Sequence, residues 1–76
     1  MTEMTLYYKP GCPFGIRLRA AMRLHGIPFR AVKFKDDEEG AAQVRAATDR
    51  EISPTVHVGD QWLVNPHWRE VAQAAA

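Results

Sequence analysis

The chain has 76 residues, 46% of them hydrophobic, a formal net charge of +1 and a single cysteine. That describes one domain over residues 1–76, at the small end of what folds alone, with apolar residues enough for a modest core and too many for a disordered tail. Mixed charges argue against a nucleic-acid partner, short apolar runs against a membrane span, and the lone Cys12 against an internal disulfide or a zinc site of paired cysteines.

Residues 5–8 (Thr-Leu-Tyr-Tyr) form a β-branched and aromatic run ended by Pro10 and Gly11, which predicts a strand and then a turn. From Pro13 the period changes. Phe14, Leu18, Ala21, Met22 and His25 recur at helical spacing, Pro13 suits a first turn, and Gly26 and Pro28 end the run, so a helix is expected over 13–25. Residues 29–35 alternate apolar and basic side chains, as a strand at or near a sheet edge does.

Asp36-Asp37-Glu38-Glu39 supplies the acidic start of a second helix ending near Thr48, within which Gly40 reads as a weak point. Asp49-Arg50-Glu51 is a polar loop. Residues 55–58 and 61–64 flank Gly59-Asp60 as a β-hairpin, and Asn65-Pro66 reads as the cap and first residue of a last helix. The order βαβαββα predicts an α/β fold with one four-stranded mixed sheet and helices on both faces.

Cys12 is either an inert small hydrophobe or a reactive thiol whose partner lies on another molecule. Its surroundings favour the second. The run Tyr8-Lys9-Pro10-Gly11-Cys12-Pro13-Phe14-Gly15 resembles the active-site loop of glutaredoxins, which have a thioredoxin-like fold. Ile52-Ser53-Pro54-Thr55-Val56 falls where that family has a cis-proline facing the cysteine. Asn65-Pro66 falls where it binds the far end of a small thiol, and looks most like the mycoredoxin branch. Four departures stand out: Gly15 replaces the second cysteine, Gly11 a bulky residue, Ser53 a frequent valine, and Asn65-Pro66 a Gly-Gly pair.

The resemblance implies a single-cysteine thiol–disulfide oxidoreductase that reduces mixed disulfides between proteins and a small thiol, mycothiol or glutathione, with no permanently bound cofactor and no metal. Cys12 would be the nucleophile, its thiolate favoured by the helix N-terminus and by the charge of Lys9. Phe14 either packs over the site or belongs to the core. Ser53, Pro54 and Thr55 would line the thiol, and Asn65, Pro66 and His67 would offer backbone N–H groups to it, Asn65 serving as a cap in any case. His25, His57, Trp62 and Trp68 read as structural, and Arg17, Arg19 and Arg23 as a solvated helix face. A non-catalytic binding module and a carrier of a 2Fe-2S cluster are the competing readings. The start Met1-Thr2-Glu3-Met4 lacks signal-peptide features, so a cytoplasmic protein is expected, and a monomer is the expected state.

Overall fold

The computed structural model describes residues 4–49 and 52–75. Its elements are β1 (Met4–Tyr8), α1 (Pro13–Leu24), β2 (Arg30–Lys33), a 3-10 turn (Phe34–Asp36), α2 (Glu38–Thr48), β3 (Thr55–Val58), β4 (Gln61–Val64) and α3 (Trp68–Ala75). Residues 1–3, Arg50 and Glu51 of the expected polar loop, and Ala76 lie outside the described residues.

The four strands form one mixed sheet in the order β2-β1-β3-β4. β1 runs parallel to β2 and antiparallel to β3, and β3 pairs with β4 across the hairpin. Because alternate side chains of a strand point to opposite faces, the sheet separates two cores. On one face Met4, Leu6, Val56 and Val58 meet Leu18 and Met22 of α1 and Val71 of α3. On the other, Tyr7 meets Phe34 and Ala41 and Val44 of α2, with Val32 and Trp62 beside them. Helices therefore cover both faces, as expected from the βαβαββα order.

Three expectations need correction. The second strand is shorter than 29–35: after Lys33 the chain enters the 3-10 turn, which carries Phe34 into the core against Tyr7, with ring centroids 5.9 Å apart. Gly40 is a close-contact position rather than a weak point. A methyl group there would lie 2.7 Å from Tyr7 Cε1 and 2.5 Å from Oδ2 of Asp37, whose other carboxylate oxygen caps α2 by accepting the Gly40 N–H at 2.9 Å.

The last helix begins at Trp68, not at Pro66. Asn65 has a left-handed φ of +47° and gives its N–H to the Pro54 carbonyl at 2.8 Å, which continues the hairpin's pairing instead of starting a helix. The cap is His67. Its carbonyl accepts the Val71 N–H, its Nδ1 accepts the Arg69 N–H at 3.2 Å, and Glu70 returns a carboxylate oxygen to the His67 N–H at 3.0 Å. This is the reciprocal arrangement of a capping box, with imidazole in place of a hydroxyl.

Candidate active site

Three segments converge at one end of the sheet: the β1–α1 loop, the turn into β3, and the β4–α3 connection. Gly11 makes the loop's tight bend, at φ +81°, where a side chain would be strained. The Cys12 N–H then folds back onto the Lys9 carbonyl at 3.3 Å. Cys12 is the N-cap of α1 in extended backbone, and its carbonyl accepts the first intrahelical N–H, from Ile16, at 3.1 Å. Pro13 follows at the position where a missing N–H costs nothing.

Half-buried, the Cys12 thiol faces the Ser53–Pro54 peptide bond, which is cis. Its Sγ lies 3.6 Å from the Ser53 carbonyl oxygen, to which the protonated thiol donates. The Ser53 hydroxyl accepts the Lys9 N–H at 3.0 Å and so ties the turn before β3 to the active-site loop.

Several groups hold the Cys12 pKa below the ordinary cysteine value. The Gly15 N–H contributes most, then the Ser53 hydroxyl, opposed by desolvation, with smaller help from the Phe14 N–H. The Lys9 charge contributes least. The unpaired N–H groups of the first helical turn therefore do most of what the sequence divided between helix and lysine.

A groove of about 260 Å³ opens beside this loop, between α1 and the start of α3. Phe14, Arg17, Leu18 and Ala21 form one wall, and Asn65, Pro66, His67 and Trp68 the other. Phe14 is 55% exposed, which places it at the groove and outside the core. Trp68 is held upright by His25, the α1 C-cap, whose ring stacks on it at 3.6 Å and 12°.

Not every expected site residue reaches the groove in the way foreseen. Thr55 is fully buried, and its hydroxyl donates to the Ile52 carbonyl, so it shapes the turn instead of lining the site. The backbone donors expected of 65–67 are already used: Asn65 bonds Pro54, Pro66 has no N–H, and His67 bonds Glu70. Only side chains of residues 65–67 remain as donors for recognition. His67 Nε2 carries the ring proton when the neutral ring accepts through Nδ1.

Sequence reasoning missed Arg17, which faces the groove and makes no ion pair among the described residues. Its place five residues after Cys12, one turn beyond Phe14, was the available signal. Arg19, by contrast, is not a free surface group: its guanidinium lies 4.0 Å above the Tyr8 ring, and its Nε donates to the Gly15 carbonyl at 3.3 Å.

Comparison with solved structures finds the same architecture repeatedly. The glutaredoxin (grx-1) of Archaeoglobus fulgidus superposes with a TM-score of 0.78 at 16% identity, over 97% of this chain and 86% of that one. The thioredoxin-like protein BC3987 gives 0.80 at 15% identity, over 95% and 99%. A glutaredoxin from Brucella melitensis gives 0.67 at 23% identity, over 84% and 70%. No curated protein matches. At such identities these likenesses establish the thioredoxin-like fold. The family follows from the sequence itself: residues 4–63, from the first residue of β1 to the penultimate residue of β4, match the family described as Glutaredoxin, and the chain belongs to it.

Proposed function

We propose that the protein reduces mixed disulfides between proteins and a small thiol through Cys12 alone. The observation that carries this is the position of the only sulfur nucleophile: capping α1, opposite a cis-proline turn and beside a groove of small-molecule size. In the first step the Cys12 thiolate attacks the small thiol's sulfur. The Cys12–small-thiol disulfide forms, the original S–S bond breaks, and the substrate protein leaves as a thiolate that takes a proton from water. A second small thiol, its proton lost to water, then attacks the small-thiol sulfur on Cys12. A small-thiol disulfide departs and Cys12 is again a thiolate.

Gly15 supports this cycle, since no second thiol stands where it could divert the intermediate into an internal bond. Exposed Phe14 and Ile16 give the rim an apolar surface for the protein half of the substrate. With the backbone donors of Asn65 and His67 satisfied, the far end of the small thiol meets Arg17, Asn65 and His67 side chains between the Phe14 and Trp68 rings. That suits a ring-bearing thiol such as mycothiol at least as well as the extended peptide of glutathione. The reaction belongs in a compartment where small thiols are kept reduced, such as the cytoplasm, with the protein acting as a monomer.

The test is mass spectrometry of Cys12 after incubation with oxidised mycothiol and oxidised glutathione, followed by turnover of a protein mixed disulfide with each thiol. The expected result is one adduct on Cys12 and steady turnover with the thiol that forms it. An unmodified Cys12 with both would leave the binding-module reading in its place. A brown protein on purification would favour the cluster carrier.

A further inference from the structure

Gly15 and Ser53 form a matched pair around the nucleophile. A methyl group at Gly15 would lie 3.2 Å from Ser53 Oγ and 3.5 Å from Tyr8 Cβ. The space a side chain at position 15 would enter is thus bordered by the Ser53 hydroxyl. That hydroxyl accepts the Lys9 N–H, which fixes its oxygen and leaves its own proton to donate. The same residue's carbonyl lies 3.6 Å from Cys12 Sγ, so the sulfur sits against the Ser53 backbone, next to the residue's hydroxyl-bearing side chain.

We infer that Ser53 is a positioning residue that supplies, from the β3 turn, the hydrogen bond to the Cys12 sulfur that a second thiol at position 15 would otherwise give. The thiol form of Cys12 donates to the Ser53 carbonyl, and the thiolate accepts from the Ser53 hydroxyl and from the Gly15 and Phe14 N–H groups. The direction of the Cys12 pKa shift agrees, the Ser53 hydroxyl ranking second among its causes. An oxygen donor can stabilise the thiolate but cannot form a disulfide. The mixed disulfide on Cys12 therefore waits for an external thiol, and when that thiol attacks, Cys12 leaves as a thiolate already met by a donor. This role in turnover rests on the proposed function; the hydrogen bond itself does not.

The experiment compares Ser53→Thr with Ser53→Val, two side chains of one shape that differ in the hydroxyl. The rate of Cys12 alkylation by iodoacetamide is followed against pH, with turnover of the mixed disulfide measured in parallel. Ser53→Thr is expected to keep the native profile. Ser53→Val is expected to move the profile to higher pH and to slow alkylation at neutral pH roughly threefold to tenfold, the range for one lost net hydrogen bond. Superimposable profiles for the two variants overturn the inference, whatever their turnover. Profiles that differ in a protein without turnover leave the inference standing and remove the proposed function instead. If Ser53→Val does not fold, Ser53→Ala against the native protein reads the same loss.

Discussion

Replacing Gly40 by alanine tests the packing of α2 against the sheet, because two opposite effects compete there. Inside a helix, Gly→Ala ordinarily stabilises by about 1 kcal/mol, since alanine loses less backbone entropy on folding. Here the new methyl would approach Tyr7 Cε1 to 2.7 Å, Tyr7 Oη to 2.8 Å and Asp37 Oδ2 to 2.5 Å. Tyr7 is buried in the sheet and stacked on Phe34, so it has little room to yield. Overpacking of this kind costs about 1–3 kcal/mol, and displacing the Asp37 cap costs about 1 more. The net is a loss of roughly 1–3 kcal/mol, or a fall in Tm of about 5–20 °C for a domain of this size. Thermal unfolding followed by far-ultraviolet circular dichroism reads it directly. Adding Tyr7→Phe should recover part of the loss, since it removes the hydroxyl contact but leaves the ring edge. A Gly40→Ala protein with a Tm above the native one would refute the reasoning, because helix propensity would then have outweighed the contact.

Cys12→Ser is expected to abolish all thiol–disulfide exchange, since Cys12 is the chain's only cysteine; residual turnover of a mixed disulfide in that variant would end the redox reading. Because the Cys12 pKa is lowered, its alkylation rate should rise with pH and level off at a lower pH than that of an unstructured cysteine peptide. Folded stability should correspondingly gain as pH rises through the folded pKa, the gain being complete above the unfolded one. Lys9→Ala should move that alkylation profile to higher pH by less than Ser53→Val does, since the lysine charge is the weakest of the groups favouring the thiolate and its backbone N–H is unaffected. Gly15→Cys should form an internal disulfide with Cys12 only partially, and more completely when combined with Ser53→Ala, which frees the space near the new Cβ; thiol counting after oxidation distinguishes the two.

Much of this protein could be read from one dimension because the information is local. The change of period at Pro13 and the hairpin of residues 55–58 and 61–64 around the Gly59-Asp60 turn depend on neighbours a few positions apart, and the elements lie where those patterns put them. The position of Cys12 at the start of α1 is equally local, since Pro13 marks the first helical residue. What the sequence could not show is which distant groups consume each other's hydrogen bonds and space. Asn65-Pro66 has the composition of a helix start. Yet the Pro54 carbonyl claims the Asn65 N–H, and the helix begins three residues after Asn65 under a histidine cap. Gly40 has the propensity of a weak point, and Tyr7, 33 positions earlier in the chain, makes it the residue that fits. Ser53 is marked in the sequence as a residue beside the thiol, but only the fold brings its hydroxyl between Lys9 and Gly15, 44 and 38 positions away. Periodicity and capping chemistry are properties of adjacent residues and survive in the sequence. Close contacts and the allocation of donors arise only when the sheet brings remote segments together, and those are what shape the surroundings of Cys12.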